Sequence, residues 1–426
     1  MQYRSILTRR VLAWAFYDWA NSAFALSVLA VLFPLFMGAY WSAGDSGAVA
    51  TARLAWINAI ASAFICVLSP IFGSIADAGG LRKRFLFVLT LIGAAATALL
   101  GAVGEGGWAL AGLFFILGSL GYYGSTIFYD SLIIDVTKPR NYSYVSSLGF
   151  AIGYFGGAVL LTLHVVMLTN PSGWGFESAT AVIRFAFVSV GLWWACFALP
   201  LLFFVHESKS TTAVRKDVVR AAYRELRSTL RRISQYRNVV IFLIAYWLYI
   251  GGVFTVITMA VNYGQRLGFE QQDLVMALLV TNFAGFPATI LYGMFGHRFG
   301  PRPGIYLAIA VYILMSGLAM FMSEVWHFYA MAIVIGCVQG GVQGLSRSLY
   351  ASLIPTEQPG EFFGFYYTLT KFAHVTGLTL VGMAATLSDD PTWVLLALMP
   401  LFIGGGMLLT MVRLKPVADD SDAQPR

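Results

Sequence analysis

The sequence predicts an all-α integral membrane protein with twelve transmembrane helices in two six-helix halves. Three observations lead there. Of 426 residues, 58% are hydrophobic and 11% charged, and mean hydropathy is +0.74, whereas a soluble domain is about 45–50% apolar and about 25% charged. Apolar runs near the roughly 17–25 residues needed to cross a bilayer recur along almost the whole chain. The chain also repeats itself. Gly73, Asp77, Gly80 and Arg82 return as Gly293, His297, Gly300 and Arg302 after a shift of 220 residues, and the same shift carries Pro139 onto Pro359. Parallel repetition of a six-span unit is one way secondary transporters are built, with the solute site between the halves near the bilayer midplane.

Taken in order, the spans fall at 14–40, 54–76, 85–104, 108–135, 144–168 and 182–205, then at 239–262, 274–296, 303–323, 326–354, 362–387 and 393–412. The first begins after Arg4, Arg9 and Arg10, and it runs past the length of a signal-peptide core without an obvious cleavage site. Arg53 separates the first span from the second, Arg82, Lys83 and Arg84 lie between the second and third, and Lys138 and Arg140 follow the fourth. Arg184 stands at the outer end of the sixth, Arg266 between the seventh and eighth, and Arg298 and Arg302 between the eighth and ninth. Nine basic residues crowd 206–237, and Arg413, Lys415 and Arg426 follow the last span. An even number of spans puts both termini on one side. Nearly all the Lys and Arg of the loops are on that side, with only Arg53, Arg184 and Arg266 opposite, so the termini are expected in the cytoplasm. A multi-pass protein of the cell membrane, in a bacterial inner membrane, is the expectation.

The expected division is an N-terminal half over 1–205, a basic cytoplasmic linker over 206–237, a C-terminal half over 238–414 and a disordered tail over 415–426. In the linker, Val214, Val218, Ala222, Leu226, Leu230 and Ile233 alternate with Arg220, Arg224, Arg227 and Arg231. That pattern suits an amphipathic helix on an anionic inner leaflet; a solvated basic linker that only fixes orientation is the alternative. The net charge of +7 is spent on topology, so no nucleic-acid partner is expected. Cys66, Cys196 and Cys337 sit singly in apolar runs and offer no disulfide framework or metal spacing. No cofactor and no metal are expected.

Ionisable groups inside spans are costly and default to functional candidates. Here they are Asp18, Asp130, Asp135, His164, Arg347, Lys371 and His374, and spans three, nine and twelve have none in their interiors. At about 1.5 Å per residue, Asp18, Asp130, Arg347 and Lys371 all lie roughly 12–14 Å inside the cytoplasmic ends of their helices. The N-terminal half thus brings carboxylates and the C-terminal half cations to one level. Cross-half salt bridges would form and break during alternating access, and a zwitterionic solute would compete for them, its carboxylate going to Arg347 or Lys371 and its amine to Asp18 or Asp130. A desolvated Asp18 or Asp130 can also carry a coupling proton. Asp130 is favoured, because Asp18, beside Trp19 and Asn21, can simply be hydrogen-bonded near a helix start. Gln339, Gln343 and Arg347 recur every four residues as one polar stripe, facing the pore or gluing helices together, and His374 stands near Lys371. Gly149, Gly153 and Gly157 make a close-packing stripe.

The segment GSIADAGGLRKR resembles the loop signature of the major facilitator superfamily, with Ala78 where an arginine is common and Leu81 in the first basic position. FYDWANSAFA, FYDSLIIDV, GFAIGYFGG and GGVQGLSRSLYASLIP together resemble the unknown-major-facilitator family, related to the autophagy-linked effluxer that releases amino acids from fungal vacuoles. The resemblance covers nearly the whole chain. It implies a monomeric carrier whose third, sixth, ninth and twelfth spans face lipid, and it points weakly to amino acids or short peptides as solute, with sugars, drugs or lipids as alternatives. Asp77, beside Arg82, Lys83 and Arg84, is expected to gate the cytoplasmic side rather than bind solute. A polytopic enzyme such as an acyltransferase is the competing class, but the histidines are scattered and form no catalytic cluster. No nucleotide-binding loop appears. The reading is a secondary active transporter of a small polar solute, with or without protons.

Overall fold

The computed structural model describes residues 5–208, 233–387 and 395–413. The proposed amphipathic segment, apart from Ile233, and the 415–426 tail lie outside them. The described residues build α1 (Arg9–Trp41), α2 (Gly47–Gly79), α3 (Arg82–Leu100), α4 (Trp108–Val136), α5 (Tyr142–Thr169) and α6 (Ala179–Phe204). The second half has α7 (Arg237–Arg266), α8 (Gln271–Phe299), α9 (Pro301–Leu318), α10 (Val325–Leu353), α11 (Pro359–Leu387) and α12 (Met399–Thr410). Ten of these are long and apolar enough to cross a membrane among the described residues, and α11 and α12 complete the twelve.

Local sequence sets the ends. Thr8, Ser46 and Ser178 cap α1, α2 and α6 by accepting the N–H of Val11, Val49 and Ala181, satisfying donors that the first turn leaves open. Gly80 ends α2 at φ +59° and Gly300 ends α8 at φ +85°, conformations that a Cβ disfavours. In α1, Phe24–Leu32 and Met37–Trp41 are π-helical, bracketing Pro34, which has no N–H to donate.

α3, α6, α9 and α12 pack against helices of their own half and turn residues such as Leu91, Leu192, Leu314 and Met407 outward. The halves meet through α2 with α11, α5 with α8 and α10, and α4 with α11. Small residues make this approach possible on the side where residues 5 and 413 lie, called here the termini side. A Cβ on Gly73 would come within 2.2 Å of the Gly360 carbonyl oxygen, and one on Gly364 within 2.6 Å of the Ser69 oxygen. Ser143 and Ser348 hydroxyls bond at 3.1 Å, and Ser146 donates to the Gly344 carbonyl at 2.7 Å. A hydrophobic core continues across both halves here, running from Trp14 and Phe128 to Tyr350 and Phe362. The seam is sealed on the termini side.

Candidate functional site

Above this seal, α10 delivers Arg347, 1% exposed, into the N-terminal half. Its Nη1 donates to Asp130 Oδ1 of α4 at 2.5 Å, its Nε to Ser146 Oγ at 2.8 Å and its Nη2 to the Ser146 carbonyl at 2.7 Å. Asp18 Oδ2 of α1 stands 3.6 Å from Nη2. Tyr129 donates to Asp18 Oδ2 at 2.7 Å, and Tyr367 of α11 donates to Asp130 Oδ2 at 2.6 Å. The rings of Phe150, Trp14 and Tyr129 lie 4.2, 4.9 and 5.3 Å from the guanidinium carbon. Two ionised carboxylates against one guanidinium leave this buried cluster one negative charge in excess. Both ways of balancing it, a proton or a second cation, are chemically open.

The glycine stripe on α5 makes room for the cluster. A Cβ at Gly149 would sit 2.7 Å from Asp18 Oδ2 and from Tyr129 Oη, and one at Gly153 would meet Ser22 Oγ at 2.6 Å. The two carboxylates also differ in access. Both Asp130 oxygens are bonded and its side chain is 1% exposed, while Asp18 keeps 8% and only the longer ion pair. Asp18 is bonded to Tyr129, not to its neighbours Trp19 or Asn21.

The other predicted residues are dispersed. Asn21 is buried with no partner for Nδ2 among the described residues. Gln343 donates to Tyr154 Oη at 3.4 Å, and Gln339 reaches the same hydroxyl. Lys371 does not join the carboxylates at its expected level. Its Nζ sits 3.3 Å from the centre of the Tyr123 ring on α4, because its register on α11 puts Tyr367, one turn earlier, against Asp130 instead. His374 pairs with Thr258 Oγ1 at 2.9 Å.

The repeated loops form a second cluster on the termini side. Asp77 receives the N–H groups of Gly360 at 3.1 Å and Glu361 at 2.8 Å, an anion at the start of α11 where the helix dipole favours it. Arg82 stands 3.7 Å from Asp77, 2.8 Å from Asp135 and 3.1 Å from Glu207. Its Nη1 donates to the Ser131 carbonyl at 3.3 Å, beside Asp130. Glu207 also accepts the N–H of Arg82 and Lys83 and so caps α3. Burial pushes the Asp77 carboxyl up to about 6 even though Arg82 and the two N–H groups favour its charge. In the second copy, His297 Nδ1 donates to the Arg140 carbonyl at 3.1 Å. Gly293 packs on Ser147, and Arg302 keeps Nε and Nη2 buried without a hydrogen-bond partner among the described residues. Sequence reasoning missed Tyr129, Ser146, Tyr367 and Glu207.

The sequence profile of the family described as "Vacuole effluxer Atg22 like" matches residues 49–141 and 134–420. The MFS-type transporter YxiO of Bacillus subtilis (strain 168) is 34% identical over 422 residues, covering 98% of each chain. The chain belongs to the Atg22-like family of major facilitator transporters. Autophagy-related protein 22 of Yarrowia lipolytica (strain CLIB 122 / E 150) is 24% identical over 286 residues, 59% of this Atg22-like chain and 47% of the fungal one. Among solved structures, the proton:xylose symporter XylE superposes at a TM-score of 0.75 with 13% identity, covering 96% of this chain and 97% of that one. The human organic anion transporter MFSD10 does so at 0.67 with 16% identity, covering 94% and 99%. These neighbours carry the twelve-helix major facilitator fold over to this Atg22-like protein. It is a multi-pass membrane transporter of small-molecule solutes, and the enzyme alternative falls with its relatives.

Proposed function

We propose that this Atg22-like transporter moves amino acids or short peptides by rocking its halves, residues 1–205 and 238–414, about a central proton-sensitive lock. The observation that carries this is Arg347 of one half buried on Asp130 and Asp18 of the other. A bond of that kind must break when the termini side opens, which gives alternating access its two discrete states. The cluster's excess negative charge makes it a proton acceptor, and Asp18, the more accessible carboxylate, is the group that takes the proton. Protonated Asp18 no longer competes for Arg347. Asp77 on the start of α11 is the outer latch of the same closed state. With the termini in the cytoplasm of a bacterial cell, this state faces outward, and the protein works as a monomer.

The test is flux in proteoliposomes of purified protein, with a mixed pool of labelled amino acids and dipeptides, with and without an imposed pH gradient. Gradient-dependent accumulation that Arg347→Ala and Asp130→Asn both abolish supports the reading. Unaltered flux in both folded variants sinks the lock assignment, and no flux of any pool member by folded wild type sinks the amino-acid assignment.

A further inference from the structure

Beyond the lock, one turn further along α11, stands a second cation with a different status. Arg347 is sealed: every guanidinium nitrogen has a partner, and the residue is 1% exposed. A solute carboxylate reaches it only by dismantling the closed state. Lys371 is half-buried in α11, and it has no carboxylate partner among the described residues. What holds it is the face of Tyr123 on α4. A cation–π contact contributes about 0.5–2 kcal/mol, less than the cost of about 2.5–3.5 kcal/mol for a lysine at the bilayer centre. The three N–H donors of the ammonium therefore lack the charged acceptor that would balance them.

Its position suits a ligand. Lys371 lies one turn beyond Tyr367, about 6 Å along α11, on the far side of the sealed seam. The last described hydrogen bond between α2 and α11 is that of Thr368 to the Cys66 carbonyl, at 3.3 Å, so Lys371 stands where the two helices cease to be bonded. His374, one turn on, is tied to Thr258 of α7, leaving the ammonium as the available charge on this face of α11. Tyr123 belongs to the opposite half. A group that draws Lys371 off that ring alters a contact between the halves.

Resting on the reading of this protein as a carrier that passes its solute between the two halves, we infer that Lys371 is the docking point for a carboxylate of the solute, and that Tyr123 holds the ammonium when no solute is bound. The solute is accordingly a carboxylate-bearing molecule; sugars and simple amines are excluded from productive binding. The ammonium donates to the carboxylate oxygens in a charge-assisted bond.

The measurement is thermal unfolding of the full purified chain, followed by tryptophan fluorescence, with mixed amino acids, hexanoate and benzoate and with the matched amides of each. Carboxylates are expected to stabilise the wild type more than their amides do. Lys371→Met weakens that response about 10- to 100-fold, the loss expected for one charged bond, and Lys371→Arg retains most of it. The inference is overturned if no carboxylate outperforms its amide on the wild type, or if Lys371→Met responds as the wild type does. A protein that moves no amino acid in proteoliposomes yet binds carboxylates through Lys371 loses the amino-acid reading and keeps this one.

Discussion

Asp130→Asn tests the central lock most directly, because both Asp130 bonds cross between the halves, one to Arg347 at 2.5 Å and one to Tyr367 at 2.6 Å. Asparagine fits the space and can turn its oxygen to Arg347 and its amide to the Tyr367 oxygen, so the count of hydrogen bonds survives. What is lost is charge. A bond to a charged group contributes about 1.5–3 kcal/mol and a neutral one about 0.5–1.5 kcal/mol, so the closed state loses about 1–2 kcal/mol. The roughly 3–5 kcal/mol of a fully stranded buried charge is not reached, since Asp18 remains 3.6 Å from the guanidinium. A loss of that size changes the ratio of closed to open molecules about 5- to 30-fold. Spin labels at Arg84 and Glu357, both exposed at termini-side helix ends, report it by electron–electron distance measurement. The long-distance population should grow in Asp130→Asn and grow less in Asp18→Asn, whose ion pair is longer. Unchanged distributions in a folded Asp130→Asn protein would refute the lock.

Three further outcomes follow from the packing and the charge. Gly149→Ala should lower the midpoint of thermal unfolding: alanine ordinarily favours a helix interior by about 0.5–1 kcal/mol over glycine, but here its Cβ meets Asp18 and Tyr129 oxygens at 2.7 Å at an overpacking cost of about 1–3 kcal/mol, and a raised midpoint contradicts this. Gly360→Ala puts a Cβ 2.8 Å from Asp77 Oδ1 and should prise α2 from α11, seen as faster thiol labelling of a cysteine placed at the buried Ser69; an unchanged rate means the latch tolerates it. Asp77, with its carboxyl at about 6 in the closed state, faces Arg82 from α3, the Asp135 and Glu207 carboxylates that share Arg82, and the Gly360 and Glu361 segment of α11. Opening returns it to an ordinary carboxyl near about 3.9, so the closed state binds the proton more tightly and gains weight as pH falls from about 6 towards 4. The same labelled pair should shorten over that window, and Asp77→Asn should remove the pH response.

Much of this is legible in the amino-acid sequence for one physical reason: the bilayer makes charge expensive. That cost picks out Asp18, Asp130 and Arg347 among apolar runs, and the fold brings those three together. Lys371 shows where the inference stops. Counting residues from a helix end fixes depth only to within about a turn, and Tyr367 and Lys371, four residues apart on one face of α11, differ by that turn: Tyr367 meets Asp130 and Lys371 meets Tyr123. Tyr129, Ser146 and Tyr367 are not legible in this way, because hydroxyls cross membranes at little cost and leave no such signal. One trace is present: Phe-Tyr-Asp occurs at residues 16–18 and again at 128–130, pairing each carboxylate with a preceding tyrosine. Tyr129 is bonded to Asp18, whereas Tyr17 turns to Thr90 at 2.7 Å, a split that tertiary packing decides. Glu207 is hidden because it sits in the polar connection after α6, where a carboxylate carries no penalty. The π-helical turns of α1 have no periodicity that hydrophobic spacing reveals.

The repeat that first suggested two halves also explains why the latch is unequal. Shifting Asp77 by 220 residues gives His297, and shifting Gly360 back by the same number gives Arg140. The two contacts, Asp77 with Gly360 and His297 with Arg140, are thus images of one another under the pseudo-symmetry, each tying the end of one helix to the start of another across the halves. Their polarity is opposite. Asp77 is an anion accepting helix-start N–H groups, which the dipole strengthens by about 0.3–1 kcal/mol and up to about 2 kcal/mol when partly buried, whereas His297 donates to a carbonyl. Arg82 has Glu207 and Asp135 to hold it, but the shift of 220 residues puts Pro355, which has no carboxylate, at the counterpart of Asp135. Among the described residues Arg302 has no such clamp. The charged, protonatable latch belongs to the N-terminal copy, the half that also supplies both carboxylates of the central lock. Arg82, bonded to the Ser131 carbonyl next to Asp130, joins the two along α4, so the latch and the central carboxylates are linked within one half of the molecule.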